Sequence, residues 1–204
     1  MRTLIHAFFL FALLPVSGLH AEPRSFLERL FTAPTASNAS PAPSPRQTAT
    51  ASGTIPLPET FFSPKGGCTQ AVVKELKAAR QSILVQAYSF TSAPIAAALV
   101  EAARRGVLIE VVLDKSNKTG KYSAADFVAH AGIPTWLDEK HAIAHNKVMI
   151  IDESTVITGS FNFTKAAEES NAENLLVLRS PDLASRYTQQ FIEHRRHSAP
   201  YAGR

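Results

Sequence analysis

Cysteine is nearly missing from this chain of 204 residues: Cys68 is the only one. No intramolecular disulfide can form, and a structural zinc site is not expected from so few thiols. Cys68 reads as a small buried core residue, with a bridge to a second chain left open. Long apolar runs are missing too. The run from Leu4 to Leu14, broken by His6, is about half of the roughly 20 residues a membrane span needs. Charge of one sign is also scarce. The net charge is +4, but residues 1–55 hold four Arg and two acids, so the remainder carries only +2. Bulk charge is weak support for a polyanionic partner.

What is present at the N-terminus has the plan of a secretory signal: Arg2, the short apolar core, then small residues. Gly18 and Ala21 are the two plausible cleavage ends, and Ala21 is preferred. No cysteine follows either one, which argues against a lipoprotein. Residues 1–21 are therefore expected to be removed, leaving a periplasmic or secreted protein with no stable membrane insertion. Thr32 to Gly53 is almost entirely Ala, Pro, Ser, Thr and Asn. Such a segment buries too little apolar surface to offset its ordering entropy, so residues 22–54 read as a flexible tether.

The domain is expected over residues 55–197, with 198–204 as a tail. Phe61-Phe62 suggests a first strand. Val72, Val73, Leu76 and Ala79 recur at helical spacing. Ser82–Phe90 and Val107–Leu113 read as apolar strands, flanking a helix over Ile95–Arg105 that Gly106 closes. A polar loop over Asp114–Lys121 leads to a helix ending about His130 and a short strand at Pro134–Leu137. Lys147–Ile151 and Thr155–Thr158 pair as strands, Asn174–Arg179 is a last strand, and Asp182–His194 a closing helix. The alternation predicts an α/β fold, a mixed β-sheet sandwiched by helices in a single domain.

Chemistry concentrates at His145 and Lys147. Side chains two apart on a strand share a face, so an imidazole and a fixed cation project together. That pair suits a phosphate and is a poor neighbour for a divalent metal. A neutral imidazole can attack phosphorus, and a lysine ammonium can pair with a phosphate oxygen. The Gly159-Ser160-Phe161-Asn162 turn adds a hydroxyl and an amide for the remaining oxygens, and Gly159 allows close backbone approach. Asp152 lies an odd number of residues from both His145 and Lys147, so alternation points it to the opposite face and a structural role is expected. His141 precedes His145 by four, the spacing of a helical metal pair. The local pattern is loop and strand, so His141 reads as incidental or as a rim contact. His194 and His197, beside Arg195-Arg196, read as a solvated tail. Lys115, Lys118 and Lys121 are either solubilising or a substrate rim.

The sequence H-x-K-x4-D over His145–Asp152, with G-S-x-N seven residues later, resembles the phospholipase D superfamily and its HKD motif. Gln86–Thr91, Gly159–Glu168 and Asn171–Asn174 extend the likeness to its small, secreted, single-motif bacterial endonucleases, across roughly Pro56 to Arg195. The resemblance implies a phospholipase D-like nuclease fold and a two-fold homodimer that builds one active site from both copies. It implies catalytic His145, Lys147, Asp152 and Glu173, with Lys147, Ser160 and Asn162 binding the substrate phosphate and Glu173 orienting the histidine. It implies no metal and no cofactor. The expected activity is sequence-nonspecific endonuclease hydrolysis of DNA through a phosphohistidine, with RNA left open as a second substrate. The alternatives are a phospholipid phosphodiesterase or phosphatidyl transferase, and a non-catalytic nucleic-acid-binding protein.

Overall fold

The computed structural model describes residues 57–204. The leader and the tether lie outside the described residues. Along the chain the elements are β1 (Glu59–Ser63), α1 (Cys68–Ala78), β2 (Ser82–Ala87), α2 (Ala93–Arg104), β3 (Leu108–Asp114), α3 (Ala125–His130), β4 (Thr135–Asp138), β5 (Lys147–Ile151), β6 (Thr155–Gly159), α4 (Lys165–Glu169), β7 (Glu173–Arg179), α5 (Pro181–His197) and β8 (Ala199–Tyr201). A 3-10 turn over Lys115–Lys118 follows β3.

The strands form one eight-stranded mixed sheet in the order β1-β7-β6-β5-β2-β3-β4-β8. β2, β3 and β4 run parallel, joined by helical crossovers, while β5, β6, β7 and β1 continue antiparallel from β2. The central strands are buried along their length, as the near-continuous apolar runs SILVQA and KVMII require. Ile83, Val85, Ala87, Met149, Ile151 and Ile157 join the main core with Val72 and Leu76 of α1 and Leu99 of α2. The alternating residues Leu84, Val148, Ile150 and Val156 are equally buried but lie outside that cluster. They belong to the other face, which α5 crosses, with Ala184 and Phe191 buried on the helix.

Cys68 is fully buried, and burial together with nearby Glu168 and Glu173 pushes its thiol up to about 11. A thiol in that state is an inert packing residue. Arg179 pairs with both Glu75 oxygens at 2.9 and 3.0 Å and with Glu59, tying α1, β1 and β7 together.

Two expectations for the C-terminus are corrected. Residues 198–204 are not a tail: Ala199–Tyr201 pairs antiparallel with β4, and Tyr201 and Arg204 both bind Asp126. The partner strand supplies the backbone hydrogen bonds that the segment could not supply alone. Nor do His194, Arg195 and His197 belong to a solvated end. The Arg195 Nε lies 2.8 Å from the Glu110 carboxylate, and its guanidinium stacks 4.4 Å from the Trp136 ring centroid. His194 and His197 turn inward onto Asp138.

Candidate active site

The antiparallel registers bring the ends of five strands to one end of the sheet. Ala87, closing β2, pairs with Lys147, opening β5. Gly159, closing β6, pairs with Leu175 near the start of β7, and Glu173, which opens β7, pairs with Ser63 at the end of β1. Residues far apart in sequence thus meet at one end of the sheet.

His145 sits just ahead of β5, exposed, with its ring 4.5 Å from the Tyr88 ring. Lys147 is buried; its ammonium donates to the His145 carbonyl oxygen at 2.7 Å and lies 5.1 Å from the Tyr88 centroid. Burial pulls the Lys147 pKa below the ordinary lysine value, and the Glu173 carboxylate opposes that fall. A cation held partly desolvated, with hydrogen-bonding capacity left over, is well suited to an incoming phosphate oxygen.

The Ser160 hydroxyl accepts from the Asn174 backbone N–H at 3.1 Å and from its side-chain amide at 3.3 Å. With its lone pairs occupied, its own proton is left to donate. Among the described residues the buried Asn162 side-chain oxygen has no hydrogen-bond partner; the amide nitrogen is the atom able to donate to a phosphate oxygen. Gly159 does permit a close approach, but to protein. It has φ 146°, and a Cβ there would lie 2.3 Å from the Asn174 carbonyl oxygen, which receives the N–H groups of Ser160 and Phe161.

Asp152 is not with these groups. It follows β5 at the opposite end from His145, in the turn to β6, with φ 49°. Its carboxylate accepts from the backbone N–H groups of Arg80, Gln81 and Ser82 at 2.8 to 3.0 Å. The structure sets it apart from the other motif residues: it clamps the loop entering β2. Glu173 accepts from Asn171 at 3.1 Å. Among the described residues no hydrogen bond joins it to His145, and its reach into the site is electrostatic, through Lys147. Tyr88 and Asn174 are the residues that motif reading does not single out. Both fall inside the quoted matches, and their own side chains carry no reactive signature. Lys115 donates to the His141 carbonyl and Lys118 pairs with Glu139, so two of the three loop lysines brace the segment leading to His145.

Removing the Glu173 charge tests its electrostatic reach. In Glu173→Gln the one influence raising the Lys147 pKa is gone, so lysine should lose its proton at lower pH. The alkaline limb of the pH–rate profile for phosphodiester hydrolysis should shift downward. A limb that stays in place, or moves up, would show that Glu173 does not act on Lys147.

The fold and this cluster define a phosphate-handling α/β enzyme with its reactive groups at one end of the sheet. Residues 72–195 match the family model described as "Cardiolipin synthase, PLD-like domain". A curated phospholipase D from Rickettsia bellii is 43% identical over 136 residues, covering 67% of this chain and 68% of that protein. A mitochondrial cardiolipin hydrolase from Danio rerio is 29% identical over 123 residues, covering 60% and 54% of the two chains. Among solved structures, the phospholipase D family member Nuc from Salmonella typhimurium aligns with a TM-score of 0.69 and 39% identity, covering 71% of this chain and 97% of that one. The chain belongs to the phospholipase D superfamily and is a phosphodiesterase with that superfamily's nuclease-type fold in a single domain.

Proposed function

We propose that this protein is an exported, metal-independent endonuclease that hydrolyses DNA, and RNA where it is offered, without sequence preference. The observation that carries the reading is one exposed imidazole, His145, beside the buried Lys147 ammonium, with the Ser160 hydroxyl and the Asn162 amide at the same end of the sheet. All of these address a phosphate and none addresses a base, and phosphate contacts carry no direct sequence information. The likeness to Nuc over nearly its whole chain supports the same reading.

Each chain supplies one such histidine, so the chemistry calls for a two-fold dimer. His145 of one protomer forms a bond to phosphorus as the P–O bond to the leaving group breaks, and His145 of the partner subunit gives that oxygen its proton. The second imidazole then takes a proton from water. The resulting hydroxide attacks phosphorus, breaks the P–N bond and releases the phosphate product. Lys147, Ser160 and Asn162 of both copies hold the non-bridging oxygens. The two imidazoles hold different protonation states, so their titration belongs to the pair.

Phospholipid hydrolysis is the second reading. The names of the relatives favour it, and so does Ile143, an exposed apolar side chain two residues from His145. Plasmid nicking and headgroup release from phosphatidylglycerol vesicles, measured on the same preparation in excess EDTA, separate the two. Plasmid cleavage that outpaces headgroup release, and that weakens steeply with salt, is the expected result. Faster headgroup release with intact plasmid would replace the nuclease reading with the lipid one.

A further inference from the structure

On the sheet's opposite side from β1, and outside the catalytic cluster, Asp138, His141, His194 and His197 converge. Asp138 closes β4 and is fully buried. Its Oδ1 accepts from the backbone N–H groups of Lys140 and His141 at 3.1 and 3.2 Å. That grip aims Oδ2 at three imidazole nitrogens: His141 Nδ1 at 2.8 Å, His194 Nδ1 at 3.0 Å and His197 Nε2 at 3.3 Å. One ligand atom from each of the four residues lies within 4.8 Å of all the others. Helical spacing of three puts His194 and His197 on one face of the last turn of α5, where the negative end of the helix dipole favours a cation.

We propose that these four residues form a structural site for a divalent transition metal of the zinc class. Three ring nitrogens crowd one carboxylate oxygen, which has about two lone-pair positions to offer. The ring centroids are only 5.0 to 5.5 Å apart, so the three imidazoles close around one point. A cation there resolves the crowding: each nitrogen turns a lone pair inward, and the carboxylate balances charge. Three imidazoles and one carboxylate make a closed four-coordinate set of the type zinc takes, and a poor one for calcium or magnesium, which take oxygen ligands. Tetrahedral zinc needs its ligand atoms roughly 3.4 Å apart, so the ring nitrogens must close in modestly. His141, on an exposed loop, has the freedom to do so. The backbone grip on Asp138 Oδ1 is the outer hydrogen bonding that holds a ligating carboxylate in place. Lack of cysteine thus excludes only the thiolate kind of zinc site.

The metal would join α5 and β4 to the segment that carries His145. His141 lies in that segment, its carbonyl accepts from Lys115, and Ala144 N–H donates to Asp114 at 2.8 Å. The ion touches no substrate, and its role is to hold the loop and the C-terminal helix.

The test uses the untagged full-length chain, equilibrated with zinc, dialysed, and assayed for bound metal. One zinc per chain is expected, retained in His145→Ala and lost in His141→Ala and His197→Ala. Cobalt in place of zinc should give the strong visible bands of a tetrahedral site in the wild type, which keeps the test independent of whether any variant folds. A thousandfold excess of zinc over its Kd should raise the thermal midpoint by something on the order of 10 °C. Substoichiometric zinc in the wild type, cobalt spectra of octahedral type, or full zinc retention by His141→Ala would overturn the site and leave a hydrogen-bonded cluster. Metal is counted directly, so the outcome does not depend on which phosphodiester is the substrate.

Discussion

His145→Ala should lower phosphodiester turnover by at least about 10⁴-fold, since the variant loses the attacking group and the proton donor together. The fold should survive. The side chain is exposed and its described contact is with the Tyr88 ring, so a stability change within about 1 kcal/mol is expected. Equal mixing of wild-type and variant chains, with exchange of subunits, sharpens the test. If the site needs both histidines, activity should follow the wild-type homodimers alone, about one quarter of the random population. Independent sites would instead retain half. The assay belongs below the midpoint of the metal-stripped protein, so that loss of a structural ion is not mistaken for a catalytic requirement. Full activity in His145→Ala, or activity in EDTA restored only by added divalent ion, would remove the phosphohistidine mechanism.

Asp152→Ala should do the reverse: unfold the protein more easily and leave the chemistry alone. From the turn between β5 and β6, its carboxylate serves three consecutive backbone N–H groups, Arg80, Gln81 and Ser82, where the chain passes from α1 into β2. Hydrogen bonds to an ionised acceptor are the stronger kind, and alanine leaves all three donors to water or to nothing. With partial exposure taken into account, a loss of about 2–3 kcal/mol is expected, a fall in midpoint of roughly 5–10 °C for a domain of this size. At a temperature where the variant stays folded, kcat should remain within about threefold of wild type. A large drop in kcat at unchanged midpoint would return Asp152 to the catalytic set. The HKD motif would then be a single chemical unit; here it spans both ends of one strand, with His145 exposed at one end and Asp152 bound to backbone N–H groups at the other.

A structural role for Asp152 is the expectation from the sequence. Its separation from His145 comes from the length of β5, which lies between them, and not from strand parity, since the left-handed backbone at Asp152 takes it out of the alternation. The strands themselves are legible. SILVQA and KVMII are too continuously apolar to be anything but buried, and the observed β2 and β5 lie inside the expected ranges. The C-terminus departs from expectation because its determinants are not local. Ala199-Pro200-Tyr201 has no strand signature of its own and becomes a strand only by pairing with β4. His194 and His197 look like a charged helix end until Asp138, far earlier in the chain, is set beside them. Tyr88 and Asn174 give no signal because each acts by supporting another residue, Tyr88 against His145 and Asn174 on Ser160. Such support has no motif.

The family, the class of chemistry and the pairing of His145 with Lys147 as the proposed reactive groups follow from the chain's residues alone. They depend on side-chain type and on short spacings along the chain, which strand and turn geometry convert directly into position. Only the packed fold assigns which distant residues share that end of the sheet, what Glu173 reaches, and that three histidines meet one buried aspartate. Those facts follow from the register of strands paired across the whole chain, and register is a property of the packed sheet that no short stretch of sequence contains.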